Sequence, residues 1–301
     1  MKIKVGTRGS KLALAQTNNV IDRLRQAFPE NEYEVVIIKT TGDIDQIRPL
    51  DQIGSKGLFV DEIERALLAD EIQLAVHSMK DMPSEQPKGL IFAKAWLRED
   101  PRDVLILKNG NKLSDLPEGA NVATGSKRRS FQLLALRPDL HIFPIRGNID
   151  TRIKKLHEGL ADGTELDGIV LAAAGLKRLH IENDNYYFFD IDEMIPSPAQ
   201  GTLALELNES NTKLLEMVNS LSSEESDSIA YLERGFLQKI DGDCHLPIGA
   251  FASKTDTGYN LKALFGDENG TKLAKVSVDG TEADDSLIEL AIKEIKKQLE
   301  N

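Results

Sequence analysis

The feature that most constrains the fold is a strand–turn–helix unit that occurs twice in the chain. The first runs from a short alternating strand at residues 2–5, through a turn at 7–10, into a helix predicted over residues 11–28. The second runs from a strand at 121–123 into a turn at 124–126, which leads into another helix. In both helices the apolar residues recur at helical spacing, and Ser10 stands at the N-cap position of the first helix. Such units predict an α/β protein whose two domains contain mostly parallel sheets.

Both turns have the chemistry of an anion-binding site. The free backbone N–H groups and the dipole at a helix start attract anions. Arg8 adds a full charge at the first turn, and the Lys-Arg-Arg run at residues 127–129 adds three at the second. If the two domains face each other, the turns can bind one anion-rich ligand from both sides. The turns are not Walker P-loops, because G-x-x-x-x-G-K-[ST] does not occur in the chain.

The distribution of charge also favours a polyanionic small ligand. The formal net charge is −12, which argues against general nucleic-acid binding. Residues 201–301 hold 19 acidic and 10 basic side chains, so the excess of acid lies mainly there. Eight of the 14 arginines lie between Arg98 and Arg178, and arginine suits bidentate contacts with carboxylates or phosphates. For any single arginine the alternative is an ion pair on a solvated surface.

The predicted strand 73–77 places polar side chains at its carboxyl end, namely Ser78, Lys80 and Asp81. In parallel α/β sheets, ligands bind at this edge. Pro83 then ends the regular structure. Asp81 has two interpretations, an ion pair with Lys80 at a turn or a positioned acid–base group, and the local sequence does not decide between them.

The second predicted domain repeats this arrangement with arginine. The strand at 141–145 is followed by Arg146, and the strand at 167–172 by a segment that contains Arg178. Together with the arginines of residues 127–129, three strand ends present arginine toward one edge of the sheet.

The loop at residues 241–249 contains the only cysteine of the chain, Cys244. A single cysteine has no partner for an internal disulfide, and one thiolate cannot build a metal site. Cys244 is therefore either a small buried apolar residue or a nucleophile. The glycines and proline of the loop favour a surface or cleft, while a protonated His245 would favour the thiolate and Asp243 would oppose it. The loop by itself is compatible with a covalent attachment point, and the alternative of a small buried residue stays open.

Length and composition predict a protein of two or three domains without a membrane span. The 301 residues are 41% hydrophobic and 29% charged, which is ordinary for a globular protein. We expect a discontinuous first domain at 1–97 plus 201–220, a second at 98–200, and a smaller α+β domain at 221–301. A strand at 202–207 would return to the first sheet. No apolar run approaches membrane-spanning length and no signal peptide is recognisable, so we expect a cytoplasmic protein.

Seven short motifs follow one another along the chain. They are TRGSKLAL at 7–14, KGLF at 56–59, HSMKDMP at 77–83, TGSKRR at 124–129, IRGNIDTR at 145–152, AAGLKR at 173–178 and DCHLPIG at 243–249. Each motif alone is weak, and the whole series in this order is specific. The chain resembles the porphobilinogen deaminase (hydroxymethylbilane synthase) family from end to end.

The resemblance implies three domains, of which the first two are built like the lobes of a periplasmic binding protein around a cleft. It implies a transferase of tetrapyrrole synthesis that joins four porphobilinogen molecules head to tail, loses ammonia each time, and releases linear hydroxymethylbilane. Cys244 would hold a dipyrromethane cofactor through a thioether. Asp81 would be the catalytic carboxylate, which assists loss of the aminomethyl nitrogen and stabilises the positive azafulvene-like pyrrole.

The resemblance also assigns the residues that bind cofactor and substrate, both of which carry carboxylates. For the cofactor they are Ser78, Lys80, Asp81, Thr124, Gly125, Ser126, Arg128, Arg129, Arg146 and Gly147. For the substrate they are Arg8, Ser10, Arg146, Arg152, Arg178 and Gln200. Lys56 would belong to a loop over the cleft, which we expect to be mobile over residues 43–57. The resemblance implies no metal, nucleic acid or membrane partner, and we expect a monomer.

Three positions depart from the family pattern. Ala199 stands where the family often has glycine, Gly125 where it commonly has serine, and Asp243 where it commonly has glycine. None of these changes removes a charged or nucleophilic group that the mechanism uses.

Two other functions are weighed against this one. A two-lobed anion-binding protein without catalysis would explain the turns and leave the cysteine loop unexplained. A hydrolase that uses Cys244 and His245 is disfavoured, because adjacent residues rarely reach each other correctly. A metalloenzyme is disfavoured because no two of the five histidines have the i, i+4 spacing of an H-E-x-x-H zinc motif.

Overall fold

The structure is a computed structural model that describes residues 1–40, 60–182, 184–240, 246–267, 270 and 272–300. The chain divides into two compact units. The first comprises Met1–Glu99 and Gly201–Ala230, and the second comprises Asp100–Gln200 and Tyr231–Asn301. Residues 231–301 group with the second unit, and the three predicted domain boundaries stay a prediction.

The first unit is built on a five-stranded mixed sheet. Its strands are β1 (Lys2–Thr7), β2 (Glu32–Ile37), β3 (Leu74–Ser78), β4 (Leu90–Phe92) and β10 (Leu203–Asn208). Their order is β2-β1-β3-β10-β4, in which β1 is parallel to β2 and β3, and β10 is antiparallel to β3 and β4. The helices are α1 (Lys11–Ala27), α2 (Asp61–Leu68), α6 (Thr212–Asn219) and the first part of α7 (Glu224–Lys239). One 3₁₀ turn, Met79–Asp81, follows β3.

The second unit contains another five-stranded mixed sheet. Its strands are β5 (Asp103–Leu107), β6 (Asn121–Ala123), β7 (His141–Phe143), β8 (Gly168–Ala172) and β9 (Tyr186–Phe188). Their order is β7-β6-β8-β5-β9, in which β6 is parallel to β7 and β8, and β5 is antiparallel to β8 and β9. The helices are α3 (Lys127–Leu136), α4 (Ile149–Glu158) and α5 (Ala173–Arg178).

The C-terminal part forms a separate antiparallel sheet. Its strands are β11 (Gly249–Thr255), β12 (Gly258–Gly266) and β13 (Leu273–Gly280), and the helix α8 (Asp285–Glu300) follows them. Leu287, Ile288, Ala291 and Ile295 recur at helical spacing and are buried, which explains why this segment forms a helix with one apolar face.

Side-chain alternation in β3 separates two apolar clusters of the first unit. Leu74 and Val76 pack with α1 and α6, whereas Ala75 packs with α2 through Ile63 and Leu67. Successive residues of a strand point to opposite faces. This alternation places Ser78 on the α1 side of the sheet, where it contacts that helix. It places His77 on the opposite face, together with Ala75.

The structure confirms the predicted fold class of two α/β domains with a smaller α+β C-terminal part. The strand that returns to the first sheet is also confirmed, since β10 pairs with β3 and β4. The helix predicted over residues 11–28 is α1, which ends one residue earlier. In the parts of the chain that the structure describes, no helix is both long and apolar enough to cross a membrane.

Candidate active site

A cavity in the first unit brings together polar residues from β1, α1 and β3. Four of them are predicted from the sequence, Arg8, Ser10, Ser78 and Asp81, and all four line this cavity. Arg8 and Ser10 follow β1, and Ser78 and Asp81 lie at the end of β3. Because β1 and β3 are parallel neighbours, their carboxyl ends meet at one edge of the sheet. A guanidinium, hydroxyls and a carboxylate thus share one concave site.

Gln16 belongs to this site and was not selected from the sequence. Its side chain is buried, and its Nε2 donates a hydrogen bond to Ser78 Oγ at 2.9 Å. This bond ties α1 to the end of β3 beneath the cavity. The signal that could have found it is position, because Gln16 and Thr17 occupy the helical register of the buried residues Val20 and Ile21. A polar residue at a core position needs a partner.

Asp81 is exposed at the end of the 3₁₀ turn, next to the half-buried Lys80. A backbone bond anchors the start of the turn, since Met79 N donates to Thr202 O at 3.0 Å, and a second bond, from Met82 N to Met79 O at 3.2 Å, closes the turn itself. An exposed carboxylate on an anchored turn is accessible to a small ligand and is held at a fixed place.

The two strand–turn–helix units have the same capping geometry. Ser10 Oγ accepts a hydrogen bond from Ala13 N at 3.2 Å, and Ser126 Oγ accepts one from Arg129 N at 3.5 Å. The threonines that precede the caps, Thr7 and Thr124, are buried. Both helix starts are therefore capped by serine, at Ser10 as predicted and also at Ser126.

Gly125, a departure from the family pattern, has a packing reason in this chain. A Cβ atom at this position would lie 2.9 Å from Ile145 O. Any side chain would force the turn away from the neighbouring strand end. Within this turn, the backbone amide of Ser126 donates a hydrogen bond to Thr124 Oγ1 at 3.3 Å.

Arg128 and Arg129 lie against a buried carboxylate, Asp103, which was not selected as a site residue. Arg128 Nη1 donates to Asp103 Oδ2 at 2.7 Å, and Arg129 donates to Asp103 Oδ1 through Nε at 3.0 Å and Nη2 at 2.7 Å. The exposed fractions are 5% for Arg128, 7% for Arg129 and 0% for Asp103. Further bonds from Arg128 Nη1 to Ile195 O and from Arg129 Nη1 to Val170 O hold the guanidinium groups in place.

The strand register explains how Asp103 reaches these arginines. Asp103 is the first residue of β5 and pairs with Ala172, the last residue of β8. The start of the antiparallel strand β5 therefore lies at the edge where β6 and β8 end. Burial opposes ionisation of Asp103, and the charges of Arg128 and Arg129 outweigh it, so that the pKa of Asp103 lies far below its ordinary value.

Gln200, predicted to bind substrate, joins the same buried network. It is completely buried, and its Nε2 donates to Pro101 O at 2.7 Å and to Asp103 Oδ1 at 3.0 Å. The preceding residue, Ala199, adopts a φ of 58°, a conformation that favours glycine. Its amide is held by Glu233, whose Oε2 accepts from Ala199 N at 2.6 Å.

The other predicted arginines follow strand ends of the second unit. Arg146, Arg152 and Arg178 are each half-buried. Arg152 Nε donates to Gly147 O at 2.7 Å. Gly147 has a φ of 112°, and a Cβ atom there would lie 2.9 Å from Thr151 Cγ2. The turn between β7 and α4 therefore requires glycine at this position.

Three predictions lie outside the described residues. These are the attachment of the cofactor to Cys244, the contribution of Lys56, and the mobile loop at 43–57. Among the residues that the structure does describe, no group of three or more His, Cys, Asp or Glu side chains is arranged to hold a metal ion.

Comparison with protein-family models gives two matches that together span most of the chain. Residues 3–216 match the porphobilinogen deaminase, dipyromethane cofactor binding domain, and residues 229–297 match the porphobilinogen deaminase, C-terminal domain. Among curated proteins, the porphobilinogen deaminase of Lachnospira eligens is 51% identical over 285 residues, which cover 94% of this chain and 96% of that protein. That of Clostridioides difficile is 49% identical over 281 residues, covering 93% of this chain and 92% of that protein.

Among solved structures, the methionine-binding protein MetQ aligns with a TM-score of 0.45 and 12% identity. The alignment covers 77% of this chain and 94% of that one. The arginine-specific periplasmic binding protein STM4351 of Salmonella typhimurium aligns with a TM-score of 0.41 and 14% identity, covering 73% and 91%. TM-scores at this level are too low to assign the fold class, which follows from the strand order and register described above.

Proposed function

The chain belongs to the porphobilinogen deaminase family, and from this premise we propose how its own residues condense porphobilinogen. Family members polymerise porphobilinogen, and residues 3–216 of this chain form the domain that binds the dipyrromethane cofactor. This membership favours the enzyme over a binding protein without catalysis. The observation that carries the assignment of roles is the cavity of the first unit, where Arg8, Ser10 and Asp81 meet.

Asp81 is the catalytic carboxylate in this proposal. Loss of ammonia from the aminomethyl group leaves positive charge on the substrate pyrrole. A fixed anion stabilises such a charge most when it already points at the place where the charge develops. Asp81 is accessible, and its turn is anchored by the backbone bonds of Met79 and Met82. It is also placed to hold a proton at the departing nitrogen.

Arg8 and Ser10 bind a carboxylate of the substrate. Porphobilinogen carries an acetate and a propionate, and charge-assisted bonds from a guanidinium to a carboxylate are among the stronger hydrogen bonds. Arg8 stands just before the N-terminus of α1, whose dipole adds to its charge. Arg146, Arg152, Arg178 and Gln200 are proposed as further substrate contacts by the motif match.

The described residues fit the cofactor in the chemistry of their donors. Hydroxyls of Thr124 and Ser126 and the guanidinium groups that follow them suit its carboxylates. Among the described residues, Arg128 donates hydrogen bonds only through Nη1, so its Nε and Nη2 are available to a ligand. Arg129 donates hydrogen bonds through all three of its side-chain nitrogens. The remaining proposed contacts are Ser78, Lys80, Asp81, Gly125, Arg146 and Gly147. When bound, the cofactor supplies the pyrrole end to which the first substrate is joined.

We assign the covalent anchor of the cofactor to Cys244, and Lys56 to substrate handling, on the motif match alone. The monomeric state and the cytoplasmic location also stay proposals. Light scattering during size-exclusion chromatography tests the first, since a mass near 33.3 kDa is expected for one chain.

The decisive experiment combines intact mass with turnover. Purified protein should exceed its sequence mass by one dipyrrole, and Cys244→Ser should return it to the sequence mass. Asp81→Asn should keep the added mass and lower turnover about 10²- to 10⁴-fold, the usual contribution of a positioned acid–base group. The matched control is Glu85→Gln, an exposed carboxyl in the same segment, which should keep normal turnover. Normal turnover by Asp81→Asn would show that another group does the chemistry.

A further inference from the structure

A single buried carboxylate, Glu206, contacts the chain on both sides of the turn that carries Asp81. Glu206 lies on β10 and has no exposed surface. Its Oε2 lies 3.3 Å from Nε2 of His77, four residues before Asp81. Its Oε1 accepts a hydrogen bond from Nε2 of Gln86, five residues after Asp81, at 3.2 Å. The segment 77–86 is thus closed at its base by one side chain.

The strand register accounts for the contact with His77. His77 pairs with Ala204, so Glu206 lies two residues farther along β10 on the same face of the sheet. The side chain of His77 is 6% exposed. The angle between the two groups is outside that of a good hydrogen bond, and neither His77 Nε2 nor Glu206 Oε2 has another partner among the described residues.

A second buried carboxyl group, Glu64 on α2, belongs to the same cluster. Glu64 is 7% exposed, and burial, followed by the charges of Glu206 and Asp61, raises its pKa to about 7. In the described part of the chain, neither glutamate has a lysine or arginine as an ion-pair partner. The described side chains that contact Glu206 are therefore His77 and Gln86.

The cluster adjoins the cavity of the active site. His77 lines that cavity together with the charged residues Arg8 and Asp81. Ser78, which follows His77, is bound by Gln16 on the other face of the sheet. The end of β3 is thus held from both faces, on one by an amide and on the other by a buried carboxylate.

We propose that Glu206 is a positioning residue that clasps His77 and Gln86 and thereby fixes the segment that carries Lys80 and Asp81. This inference rests on the proposed role of Asp81. A ten-residue segment whose ends share one anchor has fewer conformations than one held only at its start. Glu206 does not contact the substrate in this proposal. Its effect is to keep the Asp81 carboxylate where the reaction needs it, since small displacements of a catalytic group are costly.

The test is a set of variants at the three clasp positions, measured on holoenzyme for kcat, KM and thermal unfolding. Glu206→Leu should lower kcat about tenfold or more and leave KM within a factor of about two, because binding by Arg8 is retained. Glu206→Gln keeps one acceptor for Gln86 and should recover a large part of that loss. Gln86→Leu, at the edge of the cluster, should lower kcat several-fold with little change in unfolding temperature.

Additivity separates the clasp from a general loss of packing. If Glu206 joins both sides, the double variant Glu206→Leu/Gln86→Leu should lower kcat no further than Glu206→Leu alone. Gln26→Ala, an exposed glutamine on α1, serves as control and should change none of these values. The clasp would be overturned if the kcat losses of Glu206→Leu and Gln86→Leu multiplied in the double variant. It would also be overturned if Gln86→Leu and Gln26→Ala lowered kcat equally.

A failure of the clasp can be distinguished from a failure of the proposed function. Asp81→Asn is measured beside these variants. If Asp81→Asn stops turnover while Gln86→Leu and Glu206→Gln keep the wild-type kcat, the clasp is wrong and the role of Asp81 stands. If Asp81→Asn has normal turnover, the proposed function of Asp81 fails first. If Glu206→Leu does not fold, Gln86→Leu and Glu206→Gln still decide the question.

Discussion

The turns at residues 7–10 and 124–126 have the same backbone arrangement, and their arginines lie in different surroundings. In the first unit Arg8 precedes the capping serine and lines a cavity. In the second unit Arg128 and Arg129 follow the capping serine, in the first turn of α3, and are buried against Asp103. The charge before the cap is thus presented to a cavity, whereas the charges after it are paired with a buried carboxylate of the sheet. Similar motifs therefore hold their arginines in different ways in the two units.

The largest effect is expected from breaking the buried network of the second unit. Asp103→Asn removes the anion and leaves two buried guanidinium groups without compensation. Loss of one partner from a buried ion pair typically costs about 3–5 kcal/mol. The midpoint of urea unfolding should fall accordingly, and Asp139→Asn, at a more exposed pair with Arg137, should cost much less. An unchanged midpoint in Asp103→Asn would remove the contrast between the two turns.

The opposite pattern is expected at the first turn. Arg8→Met should leave urea unfolding close to wild type and lower kcat/KM about 10- to 100-fold, since a charge-assisted bond to a substrate carboxylate is lost. Arg25→Met, on the exposed side of α1 beside Asp22, is the control and should keep normal activity. Stability lost in Arg8→Met without loss of activity would show that the first turn is structural too.

The smallest effect concerns two buried carboxyl groups, Glu64 in the first unit and Asp103 in the second. Their pKa values are shifted in opposite directions. Asp103 has a lowered pKa and contributes stability that is lost only in acid, below its ordinary value of 3.8. Glu64 has a pKa raised from 4.5 to about 7, so the folded chain binds an extra proton over that range and its stability falls as the pH rises.

Glu64→Gln should therefore raise the free energy of unfolding at pH 8 by about 1–2 kcal/mol and leave it nearly unchanged at pH 4.5. Urea unfolding at the two pH values measures the difference. Glu71→Gln, exposed just after α2, is the matched control. An equal change at both pH values would mean that Glu64 is not titrating in this range.

Much of the fold and part of the site followed from the sequence, because both depend on local patterns. Strands β3 and β7 end within two residues of their predicted ends, and the serine cap of α1 lies at its predicted position, because alternation, helical spacing and capping are read within a few residues. Asp103 and Glu206 were not found, because each acts through the register of antiparallel strands that are distant along the chain. No short-range pattern encodes that register.

The buried position of Asp103 has a consequence for the effect of salt. Mobile ions screen charges in water over about 8 Å at physiological ionic strength, and they cannot enter a network that excludes solvent. Added salt should therefore leave the arrangement of Arg128 and Arg129 intact, while it weakens the attraction of a dissolved carboxylate to Arg8. If Arg8 binds the substrate as proposed, ionic strength should affect the recruitment of substrate and leave the buried contacts of Arg128 and Arg129 with Asp103 unchanged.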